Sequence, residues 1–86
     1  MSDDNDDRYQ AISCADYSRY EEWIMHGQRL QIAWRDAQGQ DYIGLLQPLD
    51  LQSRRRQEFL IAQPVSGGDT VHIRLDRILR CNPDKT

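Results

Sequence analysis

At Gly27 the spacing of apolar side chains changes from helical to alternating, and that switch limits the folds open to this chain more than any other feature. Before it, Tyr17, Tyr20 and Ile24 recur at i, i+3 and i+7, the stripe of an amphipathic helix, with Trp23 and Met25 widening the apolar coverage. Ser13 supplies an N-cap, Asp16 complements the positive end of the helix, and Gly27 can take the left-handed conformation that ends one. The expected helix therefore runs from Cys14 to His26. After the switch, Leu30, Ile32 and Trp34 alternate with Gln31, Ala33 and Arg35, the pattern of a half-buried strand.

Turn residues cut the remaining chain into short extended pieces. Asp36-Ala37-Gln38-Gly39 reads as a turn into a second strand, Gln40 to Leu46, in which Gly44 suggests a bend or bulge and which Pro48 ends. The segment Leu49 to Ser53 leads through Arg54-Arg55-Arg56 into a third strand, Glu58 to Gln63. Pro64 to Asp69, with Gly67-Gly68, turns into a fourth strand, Thr70 to Leu75. Asp76-Arg77 makes a tight link to a short fifth strand at Ile78 to Cys81, followed by a frayed end at Asn82-Pro83. With 86 residues there is room for one domain, so residues 9–83 are expected to form a mainly β domain with one N-terminal helix, a small five-stranded antiparallel barrel. Residues 1–8 are rich in Asp and nearly devoid of apolar side chains, and read as a disordered acidic tail.

Several function classes fall away at this stage. No apolar run approaches the length of a membrane span, and the acidic start lacks the order of a secretory signal, so a soluble, cytoplasmic protein is expected, with no membrane partner. Cys14 and Cys81 have no C-x-x-C spacing and no His pair beside them, and His26 and His72 stand alone, so no metal site and no cofactor are expected. There is no phosphate-binding Gly loop, no G-x-S-x-G and no H-E-x-x-H, which argues against an enzyme. The formal net charge of −3 argues against a chain whose main task is to wrap nucleic acid.

Two constellations remain. The charge is uneven: Asp3, Asp4, Asp6, Asp7, Asp16, Glu21 and Glu22 against Arg8 and Arg19 set residues 1–24 at −5, leaving the rest at +2. An acidic helix that also carries Tyr17, Tyr20 and Trp23 imitates the phosphates and bases of a single strand, and suits a partner with a basic groove and stacking platforms. The bland alternative is a solvated helix whose aromatics are core. The second is Arg54-Arg55-Arg56, a solvated strand edge in the bland reading and a clamp on phosphate or carboxylate in the functional one.

The chain resembles the Rof family, also called YaeO, bacterial inhibitors of the transcription termination factor Rho. The likeness rests on Tyr9-Gln10-x-Ile12-x-Cys14-x-Asp16-Tyr17 with Glu21 following, on Asp50-Leu51-x-Ser53-Arg54 with Glu58-Phe59-Leu60, and on Arg74-Leu75-Asp76-Arg77-Ile78. It implies an Sm-like, SH3-like barrel with an N-terminal helix. It implies also that the protein binds the N-terminal RNA-binding domain of the Rho hexamer, blocks its primary RNA site and so opposes termination without catalysis. The implied contacts are Asp16, Tyr17, Ser18, Glu21 and Glu22 on the helix and Arg54, Arg55 and Arg56 at the loop. Ala15 and Ser18 depart from the more acidic helix start of relatives, and Arg56 stands where a smaller polar residue is common. A monomer that binds no RNA itself is the corresponding expectation. The competing expectation is an Sm-like RNA-binding module that uses the arginine loop.

Overall fold

A computed structural model describes residues 9–84; residues 1–8, and with them the expected acidic tail, lie outside the described residues. The order of elements is α1 (Cys14–Met25), β1 (Leu30–Arg35), β2 (Asp41–Arg54), β3 (Gln57–Pro64), β4 (Val71–Arg74), a 3-10 turn (Leu75–Arg77) and β5 (Ile78–Pro83). Mainly β with one helix is thus the observed class.

The ends of α1 are set locally. Ser13 is extended, and its Oγ accepts the Asp16 amide at 3.1 Å. At the other end Gln28 N donates to Trp23 O at 2.9 Å and Gly27 N to Ile24 O at 3.1 Å, with Gly27 at φ 63°, the Schellman arrangement that only a residue free of a Cβ adopts without strain. The helix stops at Met25 with His26 as cap, one residue short of expectation. Tyr20 is buried, and Tyr17, Trp23 and Ile24 pack beside it against the core; Met25 is 77% exposed and adds nothing to that face, contrary to the sequence reading.

All neighbouring strands pair antiparallel, in the order β4-β3-β2-β1-β5. The two edge strands, β4 and β5, are consecutive in the chain and are joined by only the three residues Leu75–Arg77. Laid flat, five strands would hold those edges about 19 Å apart, whereas three 3-10 residues rise about 6 Å, so the sheet must curl into a barrel-like form. Its interior is filled by Leu30, Ile32, Leu46, Leu60, Ala62, Ile73 and Leu75, with Tyr20 of the helix completing the cluster. Full burial of each Leu or Ile contributes about 2 kcal/mol.

The long strand β2 is shared between two partners: its first half pairs with β1 and its second half with β3. Pro48 does not end this strand. It sits opposite Ala62 in register, and the ladder then slips so that Asp50, not Leu49, faces Ile61. Leu49 is the extra residue of a bulge, and beside a bulge the missing proline N–H leaves no ladder bond unmade. Gly44, expected to mark the bend, lies in unbroken register opposite Ile32. Two further boundaries move. Leu75 begins the 3-10 turn instead of ending β4, and β5 is paired through Pro83, opposite Leu30, with Asp84 N donating to Arg29 O at 2.9 Å, so the end expected to fray is held.

The β2–β3 hairpin closes through Arg55 and Arg56, at φ 51° and 65°. Two successive left-handed residues make the turn whose twist matches the flanking strands, and Asn-Gly is the pair that adopts it most easily. An L side chain with a Cβ costs about 1–2 kcal/mol there. Replacing the pair by Arg55→Asn with Arg56→Gly should raise stability by about 1–2 kcal/mol, read as a higher urea midpoint with an unchanged slope.

Candidate partner-binding site

The N-terminal strap positions the helix. Arg74 and Asp76 form a two-pronged ion pair, Nε to Oδ1 at 2.6 Å and Nη2 to Oδ2 at 2.8 Å, with side chains only 9% and 6% exposed. The Gln10 amide donates to Asp76 Oδ2 at 2.8 Å, the Arg74 guanidinium lies 5.7 Å from the Tyr9 ring centroid, and the Tyr9 hydroxyl donates to Glu58 Oε1 at 3.1 Å. Burial, the Glu58 hydrogen bond and the nearby carboxylates push the Tyr9 hydroxyl up to about 12. Ile12 then reaches the core and leads into α1.

On the helix, Asp16, Ser18, Glu21 and Glu22 are exposed and Tyr17 is half-buried. The Tyr17 hydroxyl is raised above its ordinary value, first by burial and then by the negative charges of Glu58, Glu21 and Asp50. Tyr17 thus lies in the negative field of Glu21 on its own helix, of Glu58 in β3 and of Asp50 in β2. Asp16 is not part of that group. It lines a crevice on the opposite flank with Arg19, Arg80 and Cys81. Glu58 and Asp50 were missed as site residues because a strand acid reads as solvated surface until the fold sets it beside Tyr17.

The arginine triplet is split by strand alternation. Ser53 and Glu58 are a cross-strand pair, as are Arg54 and Gln57, so Arg54 projects from the face opposite Glu58. Its guanidinium lies over the Phe59 ring at 4.7 Å, and Nη2 is 3.0 Å from His72 Nδ1. A guanidinium only donates, so His72 Nδ1 is the acceptor and the ring proton sits on Nε2. Arg55 and Arg56 are exposed at the hairpin tip.

Beside Arg54 lies an open cleft of about 440 Å³ whose walls include Trp34, Phe59 and His72 together with Arg35, Arg74 and Arg77. Trp34 is stacked on Tyr42, with centroids 5.5 Å apart and planes at 17°. Arg35 is paired with the Asp41 carboxylate at 2.6 Å, and Arg77 donates to the Asp36 carbonyl at 3.0 Å. The sequence signal for this cleft is Trp34 beside Arg35 in β1 and His72 two residues before Arg74 in β4, but nothing local ties the two strands together.

Both cysteines are free thiols. Cys14 is exposed; Cys81 is half-buried, and burial pushes its thiol up to about 11, which keeps it in the unreactive protonated form. Among the described residues, no three His, Cys, Asp or Glu side chains are grouped to hold a metal, and no helix is long and apolar enough to cross a membrane.

No protein-family model matches the chain, and no curated protein matches it. Among solved structures it is similar to proteasome accessory factor B/C (PafBC) of Arthrobacter aurescens, with a TM-score of 0.74 at 20% identity over 90% of this chain. The chain spans 13% of the length of that protein. The likeness is one of fold.

Asp76 gives the site a pH dependence. Burial alone would raise its carboxyl, but the Arg74 and Gln10 hydrogen bonds and the charges of Arg74 and Arg77 outweigh it and hold the group below its ordinary 3.8. A carboxyl depressed in the folded state stabilises the fold at pH values above its unfolded pKa, and that contribution is lost as pH falls through the folded one. Urea midpoints measured from about pH 6 down to about pH 2 should fall more steeply for the wild type than for Asp76→Asn, which has no carboxylate to protonate, so the gap between the two narrows toward acid.

Proposed function

We propose that this protein is a non-catalytic inhibitor of Rho-dependent transcription termination, which binds the N-terminal RNA-binding domain of Rho and blocks its primary RNA site. The observation that carries this reading is the acidic seam at the helix, a half-buried Tyr17 in the negative field of Glu21, Glu58 and Asp50, with Glu21 exposed beside it on the helix. A groove that holds single-stranded RNA offers cations to phosphates and flat surfaces to bases. The seam presents the reverse: carboxylates at its margin and one aromatic anchor at its centre. Exposed ion pairs contribute about 0–1 kcal/mol each and act mainly on association rate and specificity, so the anchor supplies most of the affinity. The Rof-like residues converge on the same region, because Tyr9, Tyr17, Glu21 and Glu58 all belong to the segments that carry the resemblance.

A second reading, an RNA-binding module, is favoured by the cleft beside Arg54. Its walls mix aromatic rings with guanidinium groups, as a single-strand platform requires. The two readings part on direct RNA binding.

Purified protein titrated into Rho loaded with a fluorescent pyrimidine-rich RNA should displace the RNA, and should cause no gel shift of that RNA in the absence of Rho. Glu21→Lys, an exposed position, should leave thermal unfolding unchanged and weaken displacement by about tenfold or more, the factor to which about 1.4 kcal/mol corresponds. Undiminished displacement by the charge-reversed protein would contradict the inhibitor reading, and a salt-sensitive gel shift without Rho would favour the RNA-binding one.

A further inference from the structure

We infer that the cleft beside Arg54 is a binding site for a single nucleotide, a nucleoside monophosphate whose base lies against the Trp34 and Phe59 walls and whose phosphate meets Arg54 and Arg35. The inference rests on neither functional reading above, because its ligand is a small molecule and not a protein or a strand.

Shape is the first observation. The open cleft of about 440 Å³ falls within the range of about 300–1,000 Å³ that small-ligand sites occupy. Its flat walls come from two strands that are not neighbours in the sheet, Trp34 of β1 and Phe59 of β3. Each ring is already held in place, Trp34 by stacking on Tyr42 at 5.5 Å and Phe59 by the Arg54 guanidinium at 4.7 Å. Rings fixed in this way lose little freedom on meeting a base, and every base has a face to offer them.

Charge decides the other half of the ligand. Arg74 is held by the buried Asp76 carboxylate, whereas Arg54 makes its described contacts to a ring face and a ring nitrogen, so its positive charge is not cancelled by them. Arg35 pairs with Asp41, but the two side chains are 51% and 54% exposed, and a pair so exposed is weak enough to exchange for a phosphate. His72 is exposed, and with Nδ1 taken by Arg54 its Nε2–H is the remaining donor for an anion oxygen.

The same charges limit the ligand to one phosphate. A strand is held by many phosphate contacts, and its affinity grows with their number. Here Arg54 and Arg35 are the guanidinium groups at hand, while Asp36, which lines the cleft, and Asp41 set negative charge at its β1–β2 end and repel further phosphates. The formal net charge of −3 acts in the same direction.

The test titrates the full-length protein with uridine 5′-monophosphate and, separately, with uridine, inorganic phosphate and oligouridylates of increasing length. In proton–nitrogen spectra the Trp34 indole and the His72 ring should shift with the nucleotide, while the Trp23 indole, which packs on Tyr20 of α1, should not. Uridine and phosphate each carry half of the recognised chemistry and should bind about tenfold or more weakly than the nucleotide. Arg54→Gln and Phe59→Leu should each weaken the nucleotide by about tenfold while leaving the spectrum outside the cleft as in the wild type. Unmoved Trp34 and His72 signals would overturn the proposal, as would wild-type affinity in both variants. So would phosphate binding as tightly as the nucleotide, which is an anion contact without base recognition. Affinity that climbs with oligouridylate length and falls steeply with salt would overturn it too, in favour of the RNA-binding module. None of these readouts involves Rho, so the inhibitor reading stands or falls separately.

Discussion

The ion pair between Arg74 and Asp76 does two tasks at one place. It braces the 3-10 turn by which the chain passes from one edge of the sheet to the other, and it takes the Gln10 amide that fixes the strap ahead of α1. Burying two charges costs several kcal/mol per ion, so the pair is not there for net stability; removing one member, however, leaves the other uncompensated at a cost of about 3–5 kcal/mol. Such a pair is satisfied in only one arrangement of strap, turn and barrel. The helix that carries Tyr17 and Glu21 inherits its position from that arrangement.

Strand alternation then divides the surface. Ser53 and Glu58 face one way, Arg54 and Gln57 the other, so a short polar segment around a two-residue turn sends Glu58 and Arg54 to opposite faces. The acidic face joins the helix; the basic one joins Trp34, Phe59 and His72. Arg55 and Arg56 hold left-handed conformations at the tip between them, a local strain that the paired strands and the well-buried Leu60 behind it can support. Strain kept at a turn where Asn-Gly would be easier is what a functional role for the guanidinium groups would explain.

Features with short-range causes were legible in the sequence. The cap at Ser13, the stop at Gly27 and the alternation of Leu30 with Ile32 each depend on neighbours a few residues away, and the helix and five strands follow from them. Pro48 misled because the rule against proline in strands is a rule about ladder hydrogen bonds, and a bulge at Leu49 removes the need for one. Met25 misled because helical spacing says which residues share a face but not where the covered face stops. The acidic seam was half legible: Tyr17 and Glu21 lie four apart on one helix, whereas Glu58 and Asp50 reach them only through the fold. The bond from Gln10 to Asp76 spans 66 residues and leaves no local trace. Of the arginine triplet the sequence shows a block of charge, and only the fold shows that Arg54 reaches Phe59 and His72 at the side of a cleft.

The dependence of the helix on the buried pair is most directly tested by amide hydrogen exchange on Asp76→Asn at neutral pH, where the variant keeps the side chain's shape but loses the charge and one of the two oxygens that accept from Arg74 and Gln10. The account predicts that amides of α1 lose protection by about tenfold or more relative to those of β1, β2 and β3, because the strap is released while the core cluster is untouched. Equal loss across helix and sheet, or a helix as well protected as in the wild type, would contradict it.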